Sequence, residues 1–195
     1  DVAFQQPAGV LLLAGLNDML YPGHTVSPAQ FQHNLEVLIR RCLNINAWCV
    51  LGTLPPIYTP FFLEQFPSEE WSHAAPDAKI AAANRIIEQA AADFELDLWD
   101  VHAAIAARPV GESADSFLMN PANAGRRDGM HWTAAGADAV AAAAFDRIRS
   151  RCSPGQRIVC FGDSLTYGVY LRGKGTADST AQTYPGRLAA RLEVW

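Results

Sequence analysis

The chain has 195 residues, 15 basic and 20 acidic, for a net charge of −5 at pH 7; half of it is hydrophobic and 18% is charged. Its mean hydropathy is +0.01. That size fits one domain with a substantial core, and low charge with high apolar content excludes a disordered chain. The mild acidic balance, with no cluster of Lys or Arg, argues against nucleic acid as a partner.

The apolar run at 10–14 is far shorter than the roughly 18 residues a membrane span needs, so no span is expected. No charged segment precedes it in the manner of a signal peptide. The sequence opens at Asp1 rather than Met, which allows for an upstream piece. Cys42, Cys49, Cys152 and Cys160 show neither CxxC nor Cys/His metal spacing. Reduced, buried thiols are favoured over disulfides, which leans toward a cytoplasmic location.

In chain order, residues 10–14 read as a strand buried on both faces, stopped by Gly15. Ser27 has the character of an N-cap, with Pro28 at N1 and Gln30 completing a capping-box pattern. The helix that follows carries Phe31, Leu35, Leu38, Ile39 and Cys42 at helical spacing. Residues 47–52 form the next apolar run, stopped by Pro55 and Pro56. A second helix begins at Asp77, with Ile80, Ala83, Ile87 and Ala90 on one face. A third strand is expected at 96–101, an alanine-rich helix capped by Thr133 runs to about Arg149, and a fourth strand covers 157–161. A last helix spans roughly 184–192, and 193–195 read as the start of a fifth strand.

Strand and helix alternate, the pattern of a parallel sheet between two helical layers. Right-handed crossovers then predict the sheet order 193–195, 157–161, 10–14, 47–52, 96–101. The long loop at 57–76, rich in Pro and aromatics (Tyr58, Phe61, Phe62, Phe66, Trp71), is functional or packed rather than disordered. It either walls a pocket or packs on the helices, and Met19, Leu20 and Tyr21 are candidates for a pocket rim.

Two strands end in polar turns: Gly162-Asp163-Ser164-Leu165 after one, Gly15-Leu16-Asn17-Asp18 after the other. The carboxyl ends of parallel strands share one edge, where ligands bind, so Ser164 and Asn17 belong to that edge. Asp128-Gly129-Met130-His131 enters from the loop before the alanine-rich helix. Ser, His and Asp supply a nucleophile, a base and an orienting carboxylate, and Asn an amide donor. Each has a plainer reading: a helix cap, a structural histidine, a loop carboxylate or a turn. Their joint occurrence at one sheet edge favours the catalytic one. His24, His33, His73, His102 and His131 are scattered without ligand spacing, so no metal or other cofactor is expected.

These residues resemble the SGNH (GDSL-type) serine hydrolases. Phe161-Gly162-Asp163-Ser164-Leu165-Thr166-Tyr167-Gly168 is similar to the family's block I, Gly15-Leu16-Asn17-Asp18 to its Gly-x-Asn-Asp block III, and Asp128-Gly129-Met130-His131 to its Asp-x-x-His block V. The resemblance implies a flavodoxin-like α/β/α sandwich, a five-stranded parallel sheet, and a carboxylic ester hydrolase acting on a small-molecule ester. Ser164 would be nucleophile, His131 base, Asp128 its partner and Asn17 an oxyanion donor.

The chain departs from the family in two respects. The serine block comes last, so the order III–V–I reads as a circular permutation of one domain, residues 1–195, with a conventional start near residue 153. The block II glycine, which would follow a strand beginning at 193–195, is not found. Gly162 permits a tight approach of backbone at the serine turn, and Asp163 is expected to brace that turn rather than react. Two rivals keep the same residues: an acyltransferase using an alcohol or sugar in place of water, and an inactive flavodoxin-like binding domain.

Overall fold

The four apolar runs assemble into one sheet in the computed structural model of the chain, which describes residues 2–194. The strands are β1 (Gly9–Leu13), β2 (Trp48–Gly52), β3 (Asp97–Trp99) and β4 (Ile158–Gly162). All pairings are parallel, in the order β3-β2-β1-β4. β1 is buried along its whole length, which explains why Val10–Leu13 carry no polar alternation.

The described residues also form ten α-helices: α1 (Leu16–Leu20), α2 (Pro28–Asn44), α3 (Thr59–Gln65), α4 (Glu70–His73), α5 (Pro76–Asp93), α6 (Val101–Ala106), α7 (Pro121–Ala124), α8 (Ala134–Ile148), α9 (Ser164–Tyr167) and α10 (Tyr184–Glu193), the last two after β4. The steps from β1 through α2 to β2, and through α5 to β3, move outward in one direction, so α2 and α5 share a face and pack together. The return from β3 to β4 runs the opposite way, which puts α8 on the other face beside α6 and α10. The fully buried Trp99 fixes that face: its indole N–H donates to the Val140 carbonyl of α8 at 3.2 Å. The architecture is the expected three-layer sandwich.

The helix signals act largely as anticipated. The Ser27 hydroxyl accepts from the Gln30 N–H at 3.2 Å. Pro28 occupies the first turn, and Phe31, Leu35, Ile39 and Cys42 face the core. The return half of the capping box is not made, because the Gln30 amide turns to Asn34 at 2.8 Å. Thr133 caps α8 by accepting from the Gly136 N–H at 3.1 Å. All four cysteines are free thiols, and Cys42 of α2 and Cys49 of β2 are buried against each other. Among the described residues no helix is long and apolar enough to cross a membrane.

Two expectations are corrected. β3 stops at Trp99 because the Asp100 carboxylate accepts from the Ala103 N–H at 2.9 Å and starts α6, a helix not anticipated from sequence. The expected fifth strand is not present in the described sheet, which has four strands. Glu193 ends α10 and Val194 caps it; Trp195 lies outside the described residues. The Arg191 guanidinium explains why helix continues there: it grips Asp138 of α8 through two bonds, at 2.9 and 3.1 Å. With Leu188 buried, the last turns of α10 are docked rather than free to extend.

Candidate active site

Leu13 of β1 pairs with Gly162 of β4, so the polar turns that follow these strands leave the sheet at the same level. Glycine is needed in both turns. Gly15 has φ +121, and any Cβ there would enter the Phe31 ring. A Cβ at Gly162 would collide with the Leu13 carbonyl oxygen and the Thr166 hydroxyl. Gly162→Ala is therefore expected to destabilise the fold by roughly 1–3 kcal/mol through forced backbone displacement, read as a lowered Tm. An unchanged Tm would show that the strand pair yields freely.

Asp163 is the brace it was expected to be. Its carboxylate caps α9 by accepting from the Leu165 N–H at 2.9 Å. Burial pushes its carboxyl above the usual range, the Leu165 hydrogen bond and His131 oppose the rise, and Asp18 adds to it. That mutual influence ties the beginning of α1 and the histidine electrostatically to the serine turn. Ser164, the first residue of α9, projects its hydroxyl to within 3.3 Å of His131 Nε2.

The other side of the histidine is held by Asp128. Its carboxylate lies 2.9 and 3.1 Å from His131 Nδ1, and accepts the backbone N–H groups of His131 at 2.6 Å and Met130 at 2.9 Å. Asp128 is only 8% exposed. Burial works against its charge, but the bonds from the His131 ring, the His131 N–H and the Met130 N–H prevail and hold the carboxyl below the ordinary range. Asp128, His131 and Ser164 thus form one continuous hydrogen-bonded series.

A local clamp fixes the histidine backbone. Leu118 and Trp132 form an antiparallel bridge, the Met119 N–H donates to the His131 carbonyl at 2.8 Å, and the Gly129 N–H donates to the Met119 carbonyl at 2.9 Å. The aromatic loop buttresses the same turn. The Tyr58 N–H donates to the Gly129 carbonyl at 2.7 Å, and the Gln65 amide reaches the carbonyls of Arg127 and Asp128 at 2.5 and 3.1 Å. Arg127 lies over the Phe61 ring and pairs with Glu64. This segment therefore supports the Asp128–His131 turn, a role that neither sequence reading of the loop named.

Asn17 stands exposed in the first turn of α1, at the same sheet edge. Among the described residues no hydrogen bond ties its side chain to the series of three. With Asp18, Tyr21 and His24 it lines an open depression of about 390 Å³. Tyr21 is half-exposed on that rim; Met19, buried in the core, lines a separate hollow with Val26, Pro28 and Lys79, and the buried Leu20 corrects the expectation that it borders a pocket. Sequence reasoning also missed Tyr170, whose ring meets the His131 ring edge-on at 5.3 Å. His102 is structural: its ring lies 3.0 Å from the Leu54 carbonyl and beside Asn84. Among the described residues no group of three or more His, Cys, Asp or Glu is arranged to hold a metal.

No family model matches the chain, and no curated protein matches it in sequence. Solved structures do match. A GDSL-like lipase from Bacteroides thetaiotaomicron aligns with 78% of this chain and 67% of its own, at 24% identity and a TM-score of 0.58. A lipase/acylhydrolase from Enterococcus faecalis aligns with 80% of this chain and 68% of its own, at 20% identity and a TM-score of 0.58. An alpha/beta hydrolase enzyme from the metagenome of Lake Arreo, Spain, aligns with 78% and 65%, at 22% identity and a TM-score of 0.54. The chain thus spans about two thirds of the length of these proteins. Its parallel sheet between helical layers is the fold of the GDSL-like lipases and acylhydrolases.

Proposed function

We propose that the chain is a serine hydrolase of carboxylic esters, working through an acyl-enzyme with Ser164 as nucleophile, His131 as base and Asp128 as its orienting partner. The observation that carries this reading is the Asp128–His131–Ser164 hydrogen-bonded series, with spacings of 2.9 and 3.3 Å. The names of the structural neighbours, lipase and acylhydrolase, support the same chemistry.

A serine hydroxyl is a poor nucleophile until a base accepts its proton, and His131 Nε2 is within reach to do so. The Ser164 oxygen attacks the ester carbonyl while its proton passes to His131. Asp128 holds the Nδ1–H tautomer and stabilises the imidazolium. The imidazolium then protonates the departing alcohol, and water repeats the cycle to release the acid. The oxyanion takes hydrogen bonds from the Ser164 backbone N–H and the Asn17 amide.

The same proposal treats the chain as one domain whose blocks are circularly permuted. The pairing of β1 with β4 supports it, since the strands leading to Asn17 and Ser164 are neighbours although they lie at opposite ends of the sequence.

Labelling with a serine-directed fluorophosphonate, together with turnover of 4-nitrophenyl esters, tests the reading. Labelling lost in Ser164→Ala is the expected result. An unlabelled wild-type chain would support a binding domain instead, and ester products formed from added alcohol would support acyl transfer. Asn17→Ala is expected to lower kcat by about 10²–10³ with little change in KM, as when other side-chain oxyanion donors are removed. A rise in KM alone would make Asn17 a substrate-binding group.

A further inference from the structure

Tyr170 is an exposed aromatic residue in an unfavourable backbone conformation. Its φ is +68, a region that bulky side chains rarely adopt, and the residue is 55% exposed. Strain of this kind persists where the surroundings impose it, commonly beside functional groups. The ring and the His131 ring form a T-shaped pair, 5.3 Å apart at 80°. Its face carries the Arg126 guanidinium, 3.9 Å from the ring centroid. Arg126 therefore stands one ring beyond the imidazole that bonds Ser164.

The neighbouring arginine shows what is unusual about this charge. Arg127 is neutralised by Glu64 through bonds of 2.9 and 2.7 Å. Arg126 is exposed, and among the described residues no carboxylate pairs with it. Stacking on an aromatic face fixes the plane of a guanidinium while leaving its N–H fork free for an anion. A cation displayed in this way beside a reacting serine discriminates among substrates by charge.

We infer that Arg126, positioned by Tyr170, selects esters that carry a negative group, a carboxylate or a phosphate, close to the scissile bond. The inference rests on the hydrolase reading and gives its substrate class. Tyr170 is a positioning residue here, and Arg126 a specificity-determining one.

The experiment compares kcat/KM for an anionic and a neutral ester in two matched pairs. Mono-4-nitrophenyl succinate against 4-nitrophenyl butyrate places the charge on the acyl side. 3-Acetoxybenzoate against phenyl acetate places it on the alcohol side. In one pair the anionic-to-neutral ratio should fall about fivefold in Arg126→Gln and roughly tenfold or more in Arg126→Glu. High salt should lower the wild-type ratio in that pair as well.

Tyr170→Phe keeps the stack and should keep the ratio, whereas Tyr170→Ala should lower it. Adding Arg126→Gln to Tyr170→Ala should then lower the ratio less than Arg126→Gln does in the wild-type background, since the two side chains act as one device. Ratios unmoved by both Arg126 variants, in a protein that turns over neutral esters and labels at Ser164, would overturn the charge selection alone. No turnover and no labelling would overturn the hydrolase reading and this inference with it.

Discussion

Ser164→Ala is expected to abolish ester hydrolysis, with a loss on the order of 10⁶ in kcat, while the protein stays folded. The size of the loss follows from the end of the series: among the described residues, the partner of His131 Nε2 is the Ser164 hydroxyl. The side chain is part-exposed, and the turn that presents it is held by the Asp163 cap and by Gly162 rather than by the hydroxyl. Stability should change by less than about 0.5 kcal/mol, in the range of substitutions that break no buried contact. His131→Ala should cost a similar factor in kcat, and the double variant no more than either single one, because nucleophile and base act as a unit. Turnover in Ser164→Ala near the wild-type rate would remove the serine from the mechanism. A double variant markedly slower than both singles would separate serine and histidine into independent contributions.

The local sequence pattern accounts for a large part of this arrangement. Asp128 and His131 lie three residues apart in one turn, and a serine two residues after the glycine that ends a strand needs only the sheet to bring it across. The sheet itself was readable, since uninterrupted apolar runs such as Val10–Leu13 have few alternatives and their order is that of a doubly wound sheet. What escaped were features decided by distant partners, by a single side-chain cap or by backbone conformation. Residues 193–195 looked like a strand start, but α10 continues through Glu193 because Arg191 finds Asp138, 53 residues away. Residues 96–101 looked like one strand because nothing in the apolar pattern reveals that the Asp100 side chain caps a helix. The Gln65 amide that holds the Asp128 turn, and the Arg126–Tyr170 stack beside the histidine, join residues with no common periodicity. A positive φ at a tyrosine has no signature in composition.

Asp128→Asn should lower kcat by about 10⁴ with the fold retained, and the cause is a proton on the wrong nitrogen. In the wild-type chain the Asp128 carboxylate only accepts, so His131 Nδ1 carries the hydrogen and Nε2 is left free to take the serine proton. An asparagine would keep one oxygen for the His131 and Met130 backbone N–H groups, which now sit at 2.6 and 2.9 Å from the same carboxylate oxygen. Its amide N–H would then point at Nδ1. The imidazole answers by accepting there, which moves its hydrogen to Nε2 and leaves Ser164 without a base. The stability change has its own pH signature. Because bonds to the carboxylate outweigh its burial and hold its folded pKa below the unfolded value of about 3.9, the charged Asp128 stabilises the fold above that pH. The contribution is lost as pH falls through the lowered folded value. The Tm difference between wild type and Asp128→Asn should therefore be largest near neutrality and shrink below about pH 4. A variant that loses Tm in this way but keeps its rate would make Asp128 a structural carboxylate, and the tautomer argument would fall.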